Sequence, residues 1–456
     1  MKTHSIATTL SLVLAFASVA NAQDRNVIRQ LGPITARAAE PVASIGLRPL
    51  PSGVLVNDAP NQRLVLFDDQ LSTFIVVADS TAATGNAYSG RLGGLLAYKG
   101  DSSLFTDPAS LSMLVIDPAG KVARVMSMPG SQDAGLLAGA MGGAAYDGNG
   151  GLVYRGMFRP QFRRGPGATG GNFTPPEIPD SAPILRIDLA TRRLDTLGFI
   201  RTPKVSMEVT RTDDGRVNMR SRLNPLPVVD DWTAFPDGSI AFIRGRDYHV
   251  DWIAPDGSKT SSPKIQFDWQ RLTDDDKVAF IDSLRAARER MGEGAPGIAA
   301  VGAALGVSDA ALGAAGPTIQ IMTGPGGGGG APPQGAPQGA RQGARQGARQ
   351  AQAAASGQRL NADVNFVDPS ELPDYKPAFF AGTVRVDSRG NIWIRTIPTK
   401  AIPGGPVYDV IDRQGALVER VQIPQGRTIV GFGPDDVVYL SVREERVSYL
   451  EKASIR

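Results

Sequence analysis

Asp230–Phe267 reads DDWTAFPDGSIAFIRGRDYHVDWIAPDGSKTSSPKIQF. Short runs of alternating apolar and polar residues are cut by three turn signals: Pro236-Asp237-Gly238, Gly245-Arg246-Asp247 and Pro255-Asp256-Gly257. Proline presets φ, aspartate hydrogen-bonds its own turn backbone and glycine accepts positive φ, so each signal has a mechanism. The stretch predicts four short strands: Thr233–Phe235, Ser239–Arg244, Tyr248–Ala254 and Lys259–Gln266.

Looser copies of this unit recur in Val42–Ala78, Gly93–Met128, Met141–Ile200, Phe379–Ile423 and Arg427–Glu451. The turn Asp117-Pro118-Ala119-Gly120 of the second copy matches Pro255-Asp256-Gly257. The last copy supplies only three strands. Asn26–Leu31, near the start of the chain, is therefore assigned to close it; an unstructured leader is the other reading. Six such units predict an all-β fold, a six-bladed β-propeller with a helical and low-complexity insertion between blades four and five. Alternation of period two places Ile240, Phe242, Ile392 and Ile394 between neighbouring blades. A two-sheet sandwich is the rival arrangement, but it does not need this many repeats.

The chain of 456 residues divides accordingly. Residues 1–22 read as a secretory signal, with Lys2 and His4 before an apolar run and Ala20-Asn21-Ala22 at the cleavage site. Residues 23–267 hold blades one to four and the closing strand, 268–378 the insertion, and 379–456 blades five and six. No later stretch is apolar enough to span a bilayer, so a secreted or periplasmic monomer is expected. There is no cysteine, hence no disulfide and no lipidated thiol. A formal charge of +3 is small for this length and gives no case for nucleic-acid binding.

In a four-stranded meander, first-to-second and third-to-fourth turns share one face of the disc. Second-to-third turns and inter-blade crossovers share the other. The first set is short throughout: Pro51–Gly53, Asp117–Gly120, Pro236–Gly238, Pro255–Gly257, Asp387–Gly390 and Asp412–Gly415. The long excursions, Phe158–Ser181, Arg201–Val229 and Asp268–Ala378, all belong to the second set. Functional residues favour loops held by a rigid scaffold, so the elaborated face is the candidate site.

Within those excursions, VSMEV and RVNMR flank Asp213-Asp214-Gly215, which predicts an extra hairpin or a piece of a seventh blade. Its Arg211, Arg216, Arg220 and Arg222 face either an anion or solvent. Leu272–Met291 reads as a helix started by Thr273 and Asp276, with Phe280, Leu284, Ala287 and Met291 on one stripe. It is either a lid over the channel or a helix packed on the rim. Gly324–Gln358 is low complexity, with Arg341, Arg345 and Arg349 in a QGAR repeat. Its composition buries no core and reads as a solvated linker or a basic tether.

Past the signal there is one histidine, His249. That excludes sites with two histidine ligands, and a zinc site finds no cysteine either. HExxH, GxSxG and P-loop signatures are absent. His249, Asp247 and Asp251 share one face of a strand, as either a polar contact between blades or part of a site. A sharper pattern is arginine at the end of second strands: Tyr154-Arg155, Ile243-Arg244 and Ile394-Arg395, with Arg246 and Lys400 nearby. Guanidinium forks suit carboxylates and phosphates, so a ring of them on the elaborated face would select an anion. The other reading pairs each arginine with a local aspartate.

The segments PDGSIAFIRGRDYHVDWIAPDG and VRVDSRGNIWIR…YDVIDRQGALVERVQIP make the chain resemble secreted bacterial six-bladed propellers of the NHL and TolB-like kind. That resemblance implies a binding or scaffold module. Glu40-Pro41-Val42 is similar to the opening motif of calcium-dependent lactonase propellers, which use a glutamate with asparagine and aspartate ligands. No site residue is carried over from either group.

The expected function is therefore binding of an anionic small molecule, glycan or protein loop. The expected binding residues are Arg155, Arg244, Arg246, Asp247, His249 and Arg395. No catalytic residue, metal ligand or cofactor is assigned. Calcium enters only under the alternative, a lactone or ester hydrolase. A scaffold tethered to the cell surface is a third reading.

Overall fold

The computed structural model describes residues 27–90, 92–139, 142–157, 178–204, 206–211, 217–291, 365–400, 402–445 and 447–456. The signal segment and the QGAR repeat lie outside them.

Six sheets carry the fold. Their inner strands are Ser44–Leu50, Gly94–Ala97, Ala145–Tyr146, Asp231–Ala234, Phe379–Val386 and Arg427–Phe432, and each is followed outward by antiparallel neighbours. Every inner strand touches the next one, and that of blade six touches that of blade one. This closed ring defines an axis. The chain is a six-bladed β-propeller, and the sandwich is excluded.

The core is correspondingly divided into seams. Leu55 and Leu64 of blade one meet Phe105 and Leu114 of blade two. Leu104 meets Tyr154 across the second seam, and Val153 meets Phe242 across the third. Ile243 meets Ile394, Trp393 meets Leu440, and Tyr439 meets Val56 across the remaining three. Both faces of each blade are thereby apolar. Burying each large side chain contributes about 1.5–3 kcal/mol.

The turn chemistry of the trimmed face is uniform. Gly120, Gly238, Gly257, Gly390 and Gly415 adopt φ of 80°, 86°, 85°, 81° and 79°. Each donates its amide to the carbonyl three residues back. Aspartate side chains complete these turns: Asp387 Oδ1 accepts the amides of Arg389 and Asn391, and Asp412 Oδ1 those of Gln414 and Ala416. Side chains also join blades here. Arg413 of blade five lies 3.9 Å over the Phe235 ring of blade four and pairs with Asp237. Arg389 of blade five pairs with Asp436 of blade six.

Ring closure departs from expectation. Ile28–Gln30, inside the piece assigned to the last blade, instead adds a parallel fifth strand to blade five, with Ile28 opposite Arg420. Ile34–Arg37 completes blade six, antiparallel to Val447–Ser454. One continuous segment thus clasps two adjacent blades. Arg29 reinforces the first pairing through Glu419, with Nε 2.8 Å from Oε2.

Described parts of two excursions, Arg201–Val229 and Asp268–Ala378, build a small attachment on the opposite face, while residues 158–177 of the third lie outside the described residues. Ser206–Arg211 and Val217–Leu223 pair as the expected hairpin, and Asn365–Phe366 joins its second strand in parallel. This three-stranded sheet stands outside the ring and is not a seventh blade. The hairpin turn lies outside the described residues. The helix spans Asp274–Met291. Thr273 and Asp276 cap it reciprocally, the Thr273 amide donating to Asp276 Oδ2 at 2.9 Å and the Asp276 amide to Thr273 Oγ1 at 3.2 Å. Ile281 and Leu284 are buried against Leu226, Phe366, Leu372, Phe380 and Ile397. The helix is therefore packed on the rim of blade five, as the second of its two readings has it.

Candidate functional site

Three second strands reach the elaborated face at arginine: Gly151–Arg155, Ile240–Arg244 and Ile392–Thr396. Alternation decides which seam each arginine enters. Arg155 follows Val153 into the seam between blades three and four, and Arg244 follows Phe242 into the same seam from the opposite wall. Arg395 follows Trp393 into the seam between blades five and six.

Arg244 is fully engaged. Its Nε donates to Asp251 Oδ2 at 2.7 Å, and its Nη1 donates to Asp230 Oδ2 at 2.8 Å and to the Phe199 carbonyl at 2.9 Å. Burial alone would lower its pKa, but these carboxylates outweigh that and raise it. Asp230 also accepts the amides of Arg201 at 3.0 Å and Gly245 at 3.1 Å. Arg244 thus pins a crossover in place.

His249 lies in the same network. Its Nδ1 is 2.7 Å from Asp247 Oδ1 and its Nε2 is 3.1 Å from Asp251 Oδ1. Ser261 Oγ donates to that same Asp251 oxygen at 2.5 Å. Burial pushes the Asp251 carboxyl up, yet the donors Ser261 and Arg244 prevail and hold it below the usual range. The serine faces a carboxylate and not the imidazole, so no nucleophile–base pair is formed. Arg246 is exposed at the turn.

Arg155 differs in kind. Its side chain makes no hydrogen bond or ion pair among the described residues, and its Nε is buried without an acceptor. Burial lowers its pKa, and the Asp231 charge opposes that shift only in part. Arg395 is 7% exposed. Burial lowers its pKa as well, against the opposing influence of Tyr408. Lys376 was not singled out from the sequence. It donates to the Pro398 carbonyl at 2.8 Å, and burial depresses its ammonium too.

Asp231, whose charge acts on Arg155 from the blade-five side of blade four, was also missed. Its Oδ2 accepts the amides of Gly382 at 2.8 Å and Val384 at 3.2 Å, both on the inner strand of blade five. Burial raises its pKa in spite of these bonds and of nearby Arg385. The two amides are presented by a register shift between Phe379 and Val384, where Gly382 takes φ of 79°. No sequence signal marks this bulge apart from the glycine itself.

The structure therefore separates two groups. Arg244, Asp247, Asp251 and His249 form one internally satisfied network. Arg155, Arg395 and Lys376 are cations held partly out of water on the same face. Glu40, of the lactonase-like motif, is exposed. Among the described residues, no three His, Cys, Asp or Glu side chains gather to hold a metal ion. No helix among them is long and apolar enough to cross a membrane.

No family model matches the chain, and no curated protein matches it. Solved structures similar to it include regucalcin, a calcium-binding protein from Agrobacterium tumefaciens. It shares 12% identity over 94% of this chain and 97% of that one, with a TM-score of 0.37. A gluconolactonase from Xanthomonas campestris shares 10% identity over 93% and 99%, with a TM-score of 0.33. A Bacteroides fragilis protein thought to be exported shares 8% identity over 94% of each chain, with a TM-score of 0.38. The fold assignment itself rests on the ring of inner strands and its six seams.

Proposed function

We propose that this propeller is an exported binding module that takes an anionic ligand on its elaborated face, with Arg155 as the anchor and Arg395 as a second contact. The observation that supports this most is the Arg155 guanidinium, desolvated on the loop-bearing face with its Nε lacking an acceptor. A buried donor without a partner costs about 1–3 kcal/mol, and an incoming oxyanion relieves that cost. A bound anion also restores the charged state that burial disfavours. Arg246 stands exposed beside the site and suits a contact with the outer part of a larger ligand. Arg244, Asp247 and His249 hold the wall of the seam.

The ligand class is an oxyanion: a carboxylate-bearing sugar, a sulfated glycan or an acidic protein loop. Calorimetric titration with sulfate and with glucuronate tests it. Arg155→Met is expected to weaken binding at least tenfold, and Arg395→Met several-fold. Unchanged affinity in Arg155→Met would end this reading. Calcium is the discriminating arm: calcium-dependent stabilisation together with lactone hydrolysis would move the assignment to a hydrolase.

A further inference from the structure

Among the described residues the signature that marks Arg155, a buried Nε without an acceptor on a side chain with no ion pair, is seen again on the other face of the disc. Arg48 lies on the inner strand Ser44–Leu50 of blade one. That strand runs from the elaborated face to the short turn at Pro51–Gly53, so Arg48 lies toward the trimmed side. Leu47 faces the seam with blade six and Leu50 the seam with blade two. Arg48, on the Leu50 side, enters the seam with blade two. Its Nε is buried without an acceptor, and its side chain makes no hydrogen bond or ion pair among the described residues.

A second unmatched group lies on the facing wall. Ser103 begins the second strand of blade two, opposite Ala97 in register. It is 0% exposed and its Oγ has no partner. Ser103 has the same parity as Phe105, whose ring belongs to the seam between blades one and two. The inner strands of the two blades are adjacent, a Cβ on Gly46 lying 3.8 Å from the Leu95 carbonyl oxygen. Two residues further along each strand, Arg48 comes level with Ala97 and hence with Ser103. Asp101, in the exposed turn just before Ser103, is the carboxylate that acts on Arg48 electrostatically.

We infer that Arg48 and Ser103 form a second oxyanion site, in the seam of blades one and two on the trimmed face. The guanidinium supplies charge and a fork of N–H donors, and the hydroxyl supplies a further donor. Burial lowers the Arg48 pKa as it lowers that of Arg155, so an anion would restore its preferred charged form. The two arginines lie toward opposite faces. A single polyanionic chain or two separate anionic groups could then be held at once, and linked sites raise avidity through effective concentration.

The test is a sulfate titration of the full exported chain by calorimetry. Two classes of site are expected in the unaltered protein. Arg48→Met should abolish one class and leave the other within twofold, and Arg155→Met should do the reverse. A single class that survives Arg48→Met overturns this inference and leaves the Arg155 reading standing. A single class lost only in Arg48→Met supports it and removes the Arg155 reading. Should Arg48→Met not fold, Ser103→Ala keeps the question open to decision. A several-fold weaker second class supports the site, and an unchanged two-class isotherm overturns it.

Discussion

Arg427 and Glu451 form a two-pronged ion pair inside blade six, with Nε 2.6 Å from Oε2 and Nη2 3.2 Å from Oε1. Glu451 is 2% exposed, and Arg37 of the clasping strand approaches the same carboxylate at 3.8 Å. The pair therefore ties the inner strand of the last blade to the strand on which the clasp is laid.

Replacing Arg427 by Met leaves a carboxylate buried with one distant partner. We expect a loss of roughly 3 kcal/mol in unfolding free energy, read from urea denaturation. The double variant Arg427→Met, Glu451→Leu should recover much of it, because desolvation of an unpaired charge is the source of the penalty. A loss in the double variant equal to that in the single one would contradict this.

Substitution of Arg244 should separate stability from the proposed binding. Arg244→Met strips Asp230 and Asp251 of their shared cation, and a destabilisation of about 2 kcal/mol is expected from a pair that keeps some exposure. Sulfate affinity of the folded variant should stay within twofold of the unaltered protein. A tenfold loss of affinity at unchanged stability would return Arg244 to the binding set.

Gly382→Ala places a side chain at φ of 79° in the bulge that feeds two amides to Asp231. The left-handed backbone costs about 1–2 kcal/mol for a residue with a Cβ. Lower thermal stability is expected, as Asp231 loses the Gly382 and Val384 donors. An alanine variant of unaltered melting temperature would show that the bulge is relaxed.

On the proposed reading, Asp231 should make anion binding pH-dependent. Its folded-state pKa is raised by burial, so protonation in the fold occurs at higher pH than in the unfolded chain. The associated stability is fully present below the ordinary carboxylate range and is lost as pH rises through the raised value. Protonation also removes the negative charge that acts on Arg155. Sulfate does not titrate in this range, and its affinity should increase as pH is lowered through the Asp231 transition. Asp231→Asn should flatten that profile; a profile that persists in the variant would place the titrating group elsewhere.

Much of the architecture was legible because its grammar is local. A turn in which aspartate binds its own backbone and glycine takes φ near +80° is written in four residues, and it recurs at Asp387–Gly390 and Asp412–Gly415. Ring closure was not legible in this way. Ile34–Arg37 carries no distinctive alternation, and its partners around Lys452 lie at the far end of the chain. The strand-end arginines stood out as a pattern. Which of them were already matched depended on Asp230 and Asp251, brought to Arg244 by a crossover and a neighbouring strand. Arg48 gave no signal, since a single arginine in an inner strand looks like any solvated residue until the adjoining blade covers it.

The clasp has a temporal consequence. Ile28 registers with Arg420 and Ile34 with Ala453, so the earliest described strands must wait for partners made far later in the chain. Loop closure over such separations is entropically unfavourable and slow. During synthesis the disc can exist only as an open arc with an unsealed gap. Locking happens once, when the strand Val447–Ser454 arrives, and until then the chain remains threadable.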